Sequence, residues 1–131
     1  MTHPNPTRAS RAEAPDRARA RALALRAGQW LVLLRFRVRP GAPTLAPNVT
    51  AYADLLDPAS SDERRRDACR RLLPHVRRHA EHERWQAEAE RARTMRPDPY
   101  GREWRTTERG AALETVAELL EATLAAFDDA G

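Results

Sequence analysis

Between Thr107 and Phe127 apolar side chains return at intervals of three and four residues: Leu113, Val116, Ala117, Leu120, Leu124 and Phe127. At about 100° per residue they fall on one stripe about 100° wide, flanked by Glu114, Glu118, Glu121 and Asp128, which is the pattern of an amphipathic helix. Such a stripe has to be covered, and the cover must come from a small supply. Leu, Val and Phe together number 21 in 131 residues, and Ile is absent. That is too few for a large two-layer enzyme core, so a small helical domain is expected, with self-association or a protein partner as the simplest source of further burial. The residues assigned to that core or oligomer face are Leu113, Val116, Leu120, Leu124 and Phe127.

The other segments sort around this helix. Met1 to Pro15 carries three prolines and almost nothing to bury, and reads as a disordered basic arm ahead of one domain over 16–131. From Asp16 the alternation of Arg and Ala, followed by Leu23 and Leu25, has strong helical propensity, with Gly28 as its expected stop. Gln29 to Arg39 reads two ways. A period of two puts Trp30, Val32, Leu34, Phe36 and Val38 on one face and Arg35, Arg37 and Arg39 on the other, as in one short strand; a helical period joins Leu23, Ala27, Trp30, Leu34 and Val38 across Gly28. The strand is the preferred reading, paired with 48–52 or with a second copy.

Prolines at 40, 43 and 47 mark a loop over 40–47, after which Asn48 caps a short helix through Leu56, ended by Asp57 and Pro58. Ser60 followed by Glu63 fits a capping box and starts the central helix. Pro74 removes a backbone donor inside that helix and is expected to kink or break it. Its second arm runs to about Met95, before a turn over 97–101. The fold class is therefore mainly α.

Charge is distributed unevenly: residues 1–39 carry +7, 40–61 carry −2, 62–96 carry +4 and 97–131 carry −5. All 23 basic residues are Arg, a composition that a codon pool rich in G and C gives without selection on function. The basic front supports a second functional reading, a small Arg-rich nucleic-acid-binding protein. It would use Arg17, Arg19, Arg21, Arg35, Arg37 and Arg39 with Arg64, Arg65 and Arg71, because guanidinium groups contact phosphate in pairs. Against it, Arg64 to Arg66 are interleaved with Asp62, Glu63 and Asp67, the pattern of a solvated helix face. No zinc finger, ribonucleoprotein motif or basic zipper is present in the sequence.

His75, His79 and His82 lie within an arc of about 60° on one helix, a spacing that would suit a transition metal. A row on a single helix lacks the second ligand-bearing segment that closes a structural site, so the histidines are read as the edge of a helix interface. No cofactor is expected. Cys69, the only cysteine, rules out an intramolecular disulfide and points to a reducing, cytoplasmic location; on the apolar stripe of Leu72 and Val76 it reads as a small buried residue. The longest apolar run, Trp30 to Leu34, is five residues, far short of the roughly 20 that span a bilayer. The same stretch, flanked by Arg, has the makings of a membrane-surface element, but the chain needs it for its core.

Gly-rich phosphate loops, nucleophile elbows and paired metal-protease histidines are all missing from the sequence. The expectation is a non-catalytic interaction or regulatory protein that acts through helical surfaces.

Overall fold

A computed structural model describes residues 8–36, 52–94 and 102–130. Every regular element among them is a helix: α1 (Arg8–Leu33), a short α2 (residues 52–56), α3 (Asp62–Thr94) and α4 (Arg102–Asp129). The mainly α expectation holds.

Cross-helix pairs fix the directions. Arg66 meets Asp128, Arg77 meets Glu121 and Arg84 meets Glu114, so α3 and α4 run antiparallel. Ala20 and Leu23 pack on Ala126 and Phe127 at one end, while Arg109 reaches the Leu34 carbonyl at the other, so α1 is antiparallel to α4 as well. Helix α4 packs along both partners, whereas α1 and α3 touch each other far less. The C-terminal helix, last in sequence, is the spatial centre of the bundle.

That position explains how α4 is buried. The expected stripe lies in the core, with Leu113, Val116 and Leu120 fully buried, Phe127 4% exposed and Leu124 packed at its margin. A second set, Thr123, Ala126 and Ala130, is buried beside it. Together with Gly110 on the α3 side, the covered arc is about 200° at about 100° per residue. Two neighbours therefore cover roughly twice the width that the sequence pattern marks.

The strand reading of 29–39 is overturned through Leu33, where α1 is helical, and residues 37–39 lie outside the described residues. A helix satisfies its backbone groups internally, which an unpaired strand cannot. The inward face of α1 is Ala20, Ala24, Ala27 and Leu31, spaced by four and three, and Val32 is turned outward. The helix starts at Arg8 and carries Pro15 inside it, so residues 8–15, read as arm, are its first turns; residues 1–7 lie outside the described residues.

Gly28 does not stop α1. A Cβ there would come within 2.9 Å of Leu56 Cδ2 and 3.1 Å of Leu55 Cβ, so the glycine is where α2 lies directly against the α1 backbone. The true stop is a Schellman motif: Phe36 N–H donates to the Leu31 carbonyl and Arg35 N–H to that of Val32, both at 3.0 Å. Arg35 takes the left-handed conformation the motif requires, with φ 50°, and the buried Phe36 folds back into the same core as Leu31. Arg109 caps the end by donating to the Leu34 carbonyl at 2.7 Å.

Around α3 the expected boundaries shift by one residue. Ala59 N–H donates to Asp57 Oδ1 at 2.8 Å, making a turn where Asp57 and Pro58 are expected to end the short helix. The helix cap is Ser61, whose Oγ accepts from Arg64 N–H at 3.1 Å, so the Ser60–Glu63 capping box does not form; Ser60 is buried instead. Nor does Pro74 break the helix, which runs unbroken from Asp62 to Thr94. Pro74 and Arg70, whose carbonyl loses its donor, both sit on the exposed side, so the missing bond is not buried in the core.

Candidate interaction surface

Of the two roles open to the α4 stripe, core or oligomer face, the structure gives it the core, with Leu124 half-buried at its margin. Leu113, Val116, Leu120 and Phe127 are buried within the chain's own core, together with Ala24, Ala27, Leu31, Leu72 and Val76. Cys69 is also fully buried, and burial pushes its thiol up to about 12 despite a hydrogen bond with Thr123. A thiol held protonated in this way is no nucleophile at neutral pH.

The histidine row is divided among packing roles. His79 meets Phe36 edge-on at 4.9 Å between ring centroids, closing the core over the end of α1, and His82 stacks near Trp85 at 6.3 Å. Glu83, at the edge of that row, is engaged by Arg109 at 3.3 Å. Among the described residues no three His, Cys, Asp or Glu side chains are placed to hold a metal ion, and His75, His79 and His82 form no such group. Their spacing was adequate, but no ligand from a second helix converges on them.

The arginines named for nucleic-acid contact fall into three groups. Some are structural. Arg65 is 8% exposed and donates to the Asp57 and Pro58 carbonyls and to Asp62 at 3.2–3.3 Å, tying the α2–α3 turn to α3. Arg21 grips Asp62 through two bonds of 2.7 and 2.9 Å, which holds that carboxyl below the usual carboxylate range and pins α1 to the start of α3. Arg71 pairs with Asp67 at 3.1 Å. Others, Arg17, Arg19, Arg35 and Arg64, are exposed. Arg37 and Arg39 lie outside the described residues.

Beside the first turns of α3 lies an open cleft of about 760 Å³, lined in part by Arg17, Arg64, Arg66, Arg70, Asp62, Glu63 and Asp67. Its charges are mostly engaged: Asp62 by Arg21 and Arg65, Asp67 by Arg71, and Arg66 by Asp128 at 3.1 Å and by the Phe127 ring. Such interleaving of opposite charges favours neither an anion nor a cation strongly.

The apolar surface that remains is on α1. Leu25, Val32 and Leu33 are 42%, 49% and 75% exposed, on the side opposite Ala24, Ala27 and Leu31. Ala18, Ala22, Leu25, Gln29 and Val32 are all exposed and recur at intervals of four, three, four and three, the spacing of a coiled-coil seam. Arg19, Arg21 and Arg26 border it. Sequence reasoning missed this face, although the spacing was there to be read; the neighbouring Leu23 and Trp30 drew attention to a different stripe. The helix is thus apolar on two sides, one used by the core and one free. Trp85 on α3, at 65%, is the other large exposed apolar side chain among the described residues. No described helix is long and apolar enough to cross a membrane. No family model, curated protein or solved structure matches this chain.

Proposed function

We propose that this protein is a non-catalytic binding module that works in a reducing cytoplasm by presenting the outward face of α1 to a protein partner. One observation carries the reading: Leu25 and Val32 stand in solvent at coiled-coil spacing on a helix whose opposite side already supplies the core. The chemistry of the rest agrees with it, since the one thiol is buried and protonated and the open cleft beside α3 holds charges of both signs, most of them engaged. Cross-linking in native extract, read by mass spectrometry, tests it with wild type and Val32→Glu. Partner cross-links bracketing residues 18–33 that vanish in the variant, with its helicity unchanged, support the reading. Partner cross-links that all map elsewhere refute it.

A second reading, nucleic-acid binding, draws on Arg64 and Arg70, which line the cleft without an ion pair. Duplex titration at two salt concentrations tests it. Affinity that falls steeply with salt, and falls again in Arg64→Ala/Arg70→Ala, favours this reading over the first.

A further inference from the structure

We infer that the partner for the α1 face is a second copy of this chain, which receives it on the outward face of its own α4. The inference rests on the reading that the α1 face binds protein. It adds what that protein is.

The receiving face is as regular as the donating one. Ala111, Thr115, Glu118, Ala122, Ala125 and Asp129 lie along the outer side of α4, again alternating between four and three residues apart. All are exposed except the half-buried Ala122. Four of the six are small, and Thr115 directs its hydroxyl back to the Ala111 carbonyl at 3.1 Å, so the surface is shallow and offers little side-chain polarity of its own. Leu25 and Val32 of one copy are knobs of the size that such a row accommodates.

Charge decides which faces meet. Arg19 and Arg26 beside the α1 face have no ion pair, nor do Glu118 and Asp129 on the α4 face. Two α1 faces brought together would oppose arginine to arginine, and two α4 faces would oppose carboxylate to carboxylate. Pairing α1 with α4 brings opposite charges together. The same asymmetry runs through the whole chain, +7 over residues 1–39 against −5 over 97–131. Within one chain the two faces cannot meet, because α1 already packs on α4 through Ala20 and the Leu34 carbonyl while both faces point outward. Because the α1 face lies on the side of its helix away from α4, the two faces of one copy do not look the same way, so the contact is heterologous: the α1 face of each copy meets the α4 face of the next.

Sedimentation equilibrium on the full chain tests this with two charge-reversal variants, Arg19→Glu/Arg26→Glu and Glu118→Arg/Asp129→Arg, each checked for helicity by circular dichroism. Wild type is expected to associate and to weaken between about 50 mM and about 500 mM salt. Either variant alone should associate at least tenfold more weakly than wild type, and an equimolar mixture should recover the wild-type association, because each contact between unlike variants is again of opposite sign. A wild type that stays monomeric, or variants that associate as wild type does, overturns the inference. If the monomer still forms Val32-dependent cross-links to a different host protein, the second copy fails while the binding-module reading stands. If the α1 face instead binds only vesicles of anionic lipid, both fail.

Discussion

Helices α4 and α1 carry apolar residues at the same spacing and meet opposite fates. On α4 the spaced set from Leu113 to Phe127 is covered from two sides, because α4 lies between α1 and α3. On α1, Ala20 to Leu31 is covered and Ala18 to Val32 is not, because the helix sits at the edge of the bundle with α4 and α2 on one side only. The periodicity marks that a face exists. Whether it is core or contact surface depends on how many neighbours the helix has, which is a property of position in the bundle.

The sharpest way to break the comparison is a matched pair of truncations. Leu120→Ala is expected to lose about 2–5 kcal/mol of unfolding free energy, while Leu25→Ala changes the monomer by no more than about 0.5 kcal/mol. Denaturant titration of both at low concentration checks this, and equal losses would mean that α1 is covered on both sides after all.

Alkaline pH sharpens it from the α3–α4 side. Cys69 is held protonated up to about 12 in the folded chain, whereas an unfolded cysteine ionises near about 8.5. The unfolded state therefore releases its proton first, so the contribution is complete below about pH 8.5 and falls by at most about 1.4 kcal/mol per pH unit as pH rises toward the folded value. Urea midpoints measured against pH should show this slope in wild type and a flatter one in Cys69→Ala. Identical slopes would place the thiol in contact with water.

Gly28→Ala probes the covered side of α1. In an exposed helix the change gains up to about 1 kcal/mol, but here the new methyl meets Leu55 and Leu56, and overpacking of about 1–3 kcal/mol outweighs the gain. Net destabilisation of about 1 kcal/mol is expected from thermal unfolding; a stabilised variant would mean that α2 is not seated on α1. Smallest of all, Arg35→Gly should stabilise by about 0.5–1 kcal/mol, since glycine takes the left-handed conformation at the helix end without strain. Destabilisation in that variant would show that the Schellman turn is not what ends α1.

Much of the fold was legible. The α4 stripe, the turn at Asp57 and the buried Cys69 stand where local pattern placed them, because each depends on residues close in sequence. The misreadings share a cause. Gly28 looks like a helix stop until α2 is seen lying on it, and Pro74 looks like a break until it is found on the wet side of α3. The arginines near the α3 start looked uniform in sequence. Arg65 became a buried tether, Arg21 a clasp on Asp62, and Arg64 stayed in solvent, a division set by which carboxylate or carbonyl another helix happens to bring within reach.

The amino-acid order alone determined that the chain would be helical, where its best stripe lay and that its charge would run from basic to acidic, since propensity and periodicity act over a few residues. Only the tertiary structure decided which helix became central and which apolar face stayed open. Burial is a contest among faces for a limited amount of neighbouring surface, and its outcome is not encoded within any one segment.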